Sequence, residues 1–497
     1  MLLREGDTCW RVRRAGRAAL LVDMDCYFEA AKAAMQRARR SIHFLNWAFE
    51  QDTFLDPGPN GSGDEGDRIG NFLKGLSEQR PELDIRILCW KSAMPVAATQ
   101  HFFPFADRRA FRGTRVKFVL DGRLPTGACH HQKMLVIDDQ IGFCGGGDIG
   151  PDRWDTPEHL DDDPRREKTR RDHKDYDSRH EVMSVVDGDA AVVLGELFRA
   201  RWLRATGETL SPWEAGDSPA WPDGVTPDFH EVAIGLSRTE AAWRGRPEVR
   251  EVEALHLEAI RAAKRLIYME NQYFTSPLMA EALATRLRET GGPEVVLIST
   301  QHSPSYFDRA TMDKTRLNFI AHLQAADPGG RFHAYSPVTT LGRTIIVHAK
   351  LTIVDDGLLR IGSANVNNRS MGFDTECDLS IEAQDAPARE RIAQRRTRLI
   401  AHWLGCTDAD VEAAVAEAGG VGAGLERLRA SGHVRLRPIV PAPISAVARF
   451  VAHWHLGDPI GSPDAWRPWW RRAALDQRIE RAGLDPVAAA RDNAPRK

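Results

Sequence analysis

The sequence predicts an α/β protein made of two copies of one α-β-α sandwich, followed by a short C-terminal tail. Three observations carry this reading. His131-Gln132-Lys133 with Asp138, and His348-Ala349-Lys350 with Asp355, both read His-x-Lys-x-x-x-x-Asp. Seven residues after each Asp a run of small residues begins, Gly145-Gly146-Gly147-Asp148 in the first copy and Gly362-Ser363-Ala364-Asn365 in the second. In both copies helical periodicity alternates with apolar β-type runs, the pattern of layered α/β units.

The elements follow in the same order twice. A helical pattern ends in Ala38-Arg39-Arg40 and runs into a β-rich segment through Phe49; Ala263-Lys264-Arg265 and the segment through Phe274 repeat it. Strands over 85–89 and 295–298 come next. Each motif then supplies a strand, 134–137 and 351–354, apolar but for Thr352 as a buried central strand should be. Asp138-Asp139 and Asp355-Asp356-Gly357 are turn residues, so each motif strand reverses into a partner. Strands over 181–187 and 376–382 and amphipathic helices ending at Trp202 and Trp403 close the two copies. The halves are 1–205 and 228–405, joined by a linker over 206–227 rich in Pro, Gly, Ser and Trp. An insertion over 155–177, dense in Asp, Arg and Lys, reads as a solvated loop that could also rim the substrate entrance. The tail is 406–497, largely helical over 406–429.

Composition narrows the function. The chain has 497 residues and a net charge of −3, so no overall field draws it to polyanions. That argues against a nucleic-acid partner. Seven cysteines lie scattered with no C-x-x-C, which points to a reducing compartment and to neither a zinc nor a redox motif. Cys129, Cys144 and Cys377 read as small buried hydrophobes. The histidines outside the motifs show no metal-ligand spacing, and neither metal nor cofactor is expected. No signal peptide and no apolar stretch of ~18 residues is present, so the expectation is a cytoplasmic protein that could attach peripherally to membrane.

The motifs carry the chemistry. Strand alternation points His131 and Lys133 the same way, and likewise His348 and Lys350. A neutral imidazole can attack phosphorus and form a phosphohistidine. A second, protonated imidazole can give its proton to the departing oxygen, help worth roughly 10²–10⁴-fold. Lys133 and Lys350 would offset charge on the non-bridging oxygens. Glu181 and Glu376 occupy matching places and would orient the imidazoles as a triad carboxylate does. Asn365 can donate to a phosphate, whereas ionised Asp148 in the same slot cannot. The glycines permit close backbone approach to an anion. Asp138 and Asp355 read as structural caps of their turns.

At these residues the chain resembles the phospholipase D superfamily, over about residues 15–405. The run His130 to Asp138 with Gly145 to Asp148 and Arg153-Trp154-Asp155-Thr156 is similar to the first motif region of eukaryotic-type phospholipases D and their bacterial relatives. Residues 267–274 and 361–372 are similar to the segment before the second motif and to its tail. The resemblance implies a pseudo-twofold fold with one active site between the halves, and a metal-independent two-step reaction. It implies His131 as nucleophile, His348 as general acid, Lys133, Lys350 and Asn365 at phosphate, and Glu181 and Glu376 orienting the histidines. Ser363, Gly146 and Asp148 fall in the substrate-binding slots. Gly146 and Asp148 depart from the symmetric Ser and Asn, so the first half should touch phosphate less. The family's lipid-binding regulatory domains are not recognised, which implies a catalytic core with a tail.

The leading expectation is hydrolysis of a glycerophospholipid at its distal phosphodiester, giving phosphatidic acid and a free head group, with transfer to an alcohol in place of water as a variant. The partners are then phospholipid, a membrane surface, and water or alcohol. The alternatives are a cardiolipin-synthase-type phosphatidyltransferase, whose usual N-terminal membrane helices are not seen, and a nuclease with a basic groove. Head group, acyl preference and oligomeric state stay open. In the tail, Trp454, Trp466, Trp469 and Trp470 lie among arginines, as at a lipid interface; the preferred reading packs these rings on the body of the protein.

Overall fold

A computed structural model describes residues 1–92, 104–166, 176–213, 221–303, 305–441, 450–451 and 453–485. In the first half the strands are β1 (Arg11–Val22), β2 (Ser41–Asn46), β3 (Asp84–Trp90), β4 (Lys117–Asp121), β5 (Met134–Ile137), β6 (Ile141–Gly145), β7 (Arg179–His180) and β8 (Val182–Asp187). The rest of the chain contributes β9 (Phe229–Glu240), β10 (Val249–Arg250), β11 (Leu266–Asn271), β12 (Glu294–Ile298), β13 (Phe332–Pro337), β14 (Ile346–Val347), β15 (Lys350–Val354), β16 (Leu358–Gly362), β17 (Glu376–Glu382) and β18 (Leu436–Pro438).

Among the described residues one sixteen-stranded sheet runs through both halves in the order β18-β13-β12-β11-β15-β16-β17-β9-β1-β8-β6-β5-β2-β3-β4, with β10 beside β9. The order is a palindrome about the β1–β9 pair. Outward on one side lie β8, β6, β5, β2, β3 and β4; outward on the other lie their repeats β17, β16, β15, β11, β12 and β13. β1 and β9 are antiparallel, with Arg11 opposite Leu236 and Ala15 opposite Val232. The halves thus share one sheet. The strands of both hairpins are buried along their whole length, because helices cover both faces.

The turns obey their sequence chemistry. Asp138 and Asp139 have φ near 55° and 54°, and Asp355 and Asp356 near 53° and 55°, the two left-handed residues of a type I′ hairpin. Asp138 also accepts the backbone N–H groups of Arg39, Arg40 and Ser41. Asp355 does the same for Lys264, Arg265 and Leu266. Each aspartate therefore ties its hairpin to the start of the neighbouring strand, β2 or β11. The helices that close the halves, Asp189–Thr206 and Ala386–Leu404, both end on a left-handed glycine, Gly207 and Gly405.

The stretch 406–429 is largely helical, as two helices, Asp408–Ala418 and Val421–Ala430, because Gly419 (φ 75°) closes the first. The tail docks on the body: β18 extends the sheet beside β13, and the helix Pro468–Arg481 buries Leu475 and Ile479 against the second half. Trp466, Trp469 and Trp470 do not pack inward; they are 70%, 62% and 50% exposed. The charged insertion is not a solvated loop throughout, since Asp155, His159 and Asp163 are buried and Asp161 accepts from Thr339 of the second half. Residues 167–175 of that insertion, 214–220 of the linker, and 442–449, 452 and 486–497 of the tail lie outside the described residues.

Candidate active site

The two motifs meet through exchanged backbone pairing. His131 donates its N–H to the carbonyl of Thr375 (3.0 Å), and His348 donates to the carbonyl of His180 (2.8 Å). Thr375 and His180 are the residues just before Glu376 and Glu181, so each half lays its motif histidine beside the other half's glutamate. The parallel pairing of β14 with β7 and the bridge from His130 to Thr375 are the two symmetric parts of this exchange.

The side chains follow. His131 Nδ1 lies 3.0 Å from Glu376 Oε2, and His348 Nδ1 makes a short contact to Glu181 Oε2. With Nδ1 engaged, Nε2 of each ring is the atom left to react. Lys133 Nζ reaches the His131 carbonyl (2.8 Å), and Lys350 Nζ lies 3.0 Å from His348 Nδ1. Both lysines act electrostatically on both imidazoles, as one shared centre requires.

Burial dominates the electrostatics. It holds both imidazoles well below their usual 6.5, with the lysines adding to the effect. It raises Glu181 to about 7 and Glu376 to about 8, and lowers Lys350 to about 7. Before an anion binds, each His–Glu pair is therefore close to neutral, with the carboxyl keeping a proton that it would lose in water. An incoming phosphodiester supplies the negative charge that favours imidazolium.

The copies differ where the sequence departs from symmetry. Ser363, expected at phosphate, donates its hydroxyl to Glu376 and accepts from the Cys377 N–H. It is placed to position the glutamate. Gly146 stands in the same slot of the first copy, and a Cβ there would fall 2.3 Å from Glu181 Oε1 and 2.9 Å from Lys350 Cδ. Glycine is what lets Glu181 and Lys350 approach. Asp148, also expected at phosphate, sits 3.2 Å from Lys133 Nζ and accepts the N–H groups of Trp47 and Ala48. Asn365 keeps a buried Oδ1 with no hydrogen-bond partner among the described residues. Lys133 is thus partly neutralised by its own half.

Sequence reasoning missed three neighbours. Arg153 and Arg179 act on both Glu181 and His348, and Asp23 accepts the Glu181 N–H at 3.2 Å. The arginines flank the charge-rich insertion, and Arg153 stood in the sequence only as part of a motif with no role attached. Asp23 gave one signal only, its place before the first helix. The expectation of no metal-ligand set also needs correcting: the fold gathers ligand atoms of Asp23, His159, His180 and His402 within 4.8 Å of one another. Those residues come from four distant stretches, so no spacing could reveal them.

A duplicated His–Lys–Glu centre in one continuous α/β sheet defines the class of protein. Residues 256–400 match the family described as cardiolipin synthase, PLD-like domain. The chain is 25% identical over 429 residues to phospholipase D A of Dictyostelium discoideum, covering 74% of this chain and 33% of that one. It is 30% identical over 373 residues to cardiolipin synthase A of Pseudomonas putida, covering 72% of this chain and 63% of that one. It therefore spans a third to under two thirds of these relatives' length. Phosphatidylserine synthase of Haemophilus influenzae Rd KW20 shares the fold, with a TM-score of 0.52 at 12% identity over 86% of this chain and 96% of that one. The chain belongs to the phospholipase D superfamily.

Proposed function

We propose that this protein cleaves the distal phosphodiester of a glycerophospholipid and passes the phosphatidyl group to water or an alcohol. The observation that carries the reading is the crossed pair of His–Glu contacts, His131 with Glu376 and His348 with Glu181. His131 Nε2 attacks phosphorus as the bond to the head-group oxygen breaks. That oxygen takes its proton from His348 Nε2, and a phosphohistidine remains on His131. His348 then removes a proton from water or alcohol, whose oxygen displaces His131 from phosphorus. Lys350 and Lys133 offset charge on the non-bridging oxygens in both steps.

Lipid as substrate is supported by the relatives and by the exposed Trp466, Trp469 and Trp470. The Trp466 ring approaches Gly127, close before His131 in the chain. Transfer to an alcohol on a second lipid, as the name of the Pseudomonas relative indicates for that enzyme, is the second reading. It rests on the match over residues 256–400.

The test is incubation with vesicles of single phospholipids, with and without ethanol. Released head group with phosphatidylethanol supports the reading; release of neither from any phospholipid, alongside cleavage of nucleic acid, would overturn it. Conversion of phosphatidylglycerol to cardiolipin with little free phosphatidic acid would favour the second.

A further inference from the structure

The cluster of Asp23, His159, His180 and His402 lies behind the candidate active site and takes no part in the proposed chemistry. Its atoms are spaced like a coordination sphere. His159 Nε2 and His402 Nε2 face each other at 3.2 Å. Asp23 Oδ2 stands 3.7 Å from the first and 3.9 Å from the second. A point equidistant from these three atoms lies about 2.1 Å from each, the bond length zinc makes to histidine nitrogen and carboxylate oxygen (~2.0–2.2 Å).

The outer partners are those of a metal site. Asp155 Oδ2 lies 3.0 Å from His159 Nδ1, which fixes the ring with Nε2 turned inward. His180 bridges two carboxylates, with Nδ1 2.9 Å from Asp23 Oδ1 and Nε2 2.9 Å from Glu270 Oε2. Without a cation the cluster is poorly satisfied. Asp23 Oδ2 is buried with no hydrogen-bond partner among the described residues, and both Asp23 and His180 are wholly shielded from solvent. An unpaired buried carboxylate oxygen is costly. Two Nε2 atoms in contact can share only one proton, or can both bind one metal.

We infer that Asp23, His159 and His402 bind one divalent transition-metal ion of the zinc class, with His180 as fourth ligand or as the group that orients Asp23. The role is structural. His402 ends a helix of the second half, whereas Asp23, His159 and His180 belong to the first, so the ion would cross-link the halves. It would also steady the glutamate pairing, because the Asp23 N–H donates to the Glu181 carbonyl, the Glu181 N–H donates to Asp23 Oδ1, and the His180 carbonyl accepts the His348 N–H. The set includes neither His131 nor His348, so it adds no metal to the phosphorus chemistry.

The test is metal content of the full chain, measured by mass spectrometry after refolding with Zn²⁺ and removal of free ion. The expected result is about one zinc per chain in the wild type and in His131→Ala, and less than a tenth of that in Asp23→Asn and in His402→Gln. Refolding with Co²⁺ should give the visible bands of a nitrogen and oxygen site without thiolate charge transfer. Wild-type protein that binds no zinc, or Asp23→Asn and His402→Gln variants that keep full stoichiometry, would overturn the inference. Metal content is read without reference to turnover, so failure here and failure of the proposed reaction are separate results.

Discussion

His131 of the first half is held by Glu376 of the second: Nδ1 and Oε2 lie 3.0 Å apart, with Oε1 at 3.1 Å. His348 is held in return by Glu181. Neither half contains a complete centre. Each glutamate fixes a ring it does not share a motif with, so Nε2 is presented and Nδ1 is kept from reacting. Glu376→Gln should therefore lower kcat roughly 10²–10⁴-fold, as loss of a tautomer-fixing carboxylate does. Added to His131→Ala it should cost little more, because the two act as a unit. Full additivity in steady-state kinetics would separate the pair.

Gly146→Ala places a methyl where Glu181 Oε1 and Lys350 Cδ now sit. The expected outcome is a folded protein with turnover reduced by about 10²-fold or more, since displacement near 1 Å is enough for that. Circular dichroism with single-substrate kinetics checks it; wild-type kcat would show that the close approach is unnecessary.

Glu181 is raised to about 7 by burial. The Glu181–His348 pair therefore keeps its extra proton below that pH and loses it above, and in the proposed reaction this proton is the one the leaving group takes. His131, pushed well below 6.5, stays uncharged throughout, as the proposed nucleophile must. The predicted kcat/KM profile falls as pH rises through about 7. A profile flat to pH 9 would contradict the assignment of the acid.

Folding stability carries its own pH signature. Glu376 moves from 4.5 to about 8 in the folded chain, so between those values the folded state holds a proton that the unfolded state has lost. Its contribution is complete below 4.5 and disappears as pH rises through about 8. Glu376→Gln should flatten the decline in thermal midpoint over that window, measured by calorimetry at stepped pH.

Trp466, Trp469 and Trp470 are exposed on a helix-bearing tail docked to the second half. If they dock the protein on lipid, changing all three to Ser should weaken vesicle sedimentation at least tenfold and leave turnover of a dispersed short-chain phospholipid unaltered. Equal sedimentation of variant and wild type would remove the tail from membrane binding.

Much of the fold was legible because its signals are local. Apolar runs marked 134–137 and 351–354 as buried strands, paired aspartates marked the hairpin turns, and the repeat related one half to the other. The glutamates were legible as matching positions, but not as crossed partners. Ser363 and Asp148 were placed at the substrate by their slots in the repeated motif, although an ionised Asp148 cannot donate to an anion. Distance alone showed that one hydroxyl is spent on Glu376 and one carboxylate on Lys133.

The sequence by itself determined which side chains could do phosphoryl chemistry and that they occur twice, since residue type and short-range spacing are written along the chain. Tertiary structure alone decided which glutamate serves which histidine, that both halves share one sheet about β1 and β9, and that Asp23, His159, His180 and His402 meet. Those contacts join residues tens to hundreds of positions apart. They depend on how buried strands exchange across a twofold-like seam, a relation that no periodicity encodes.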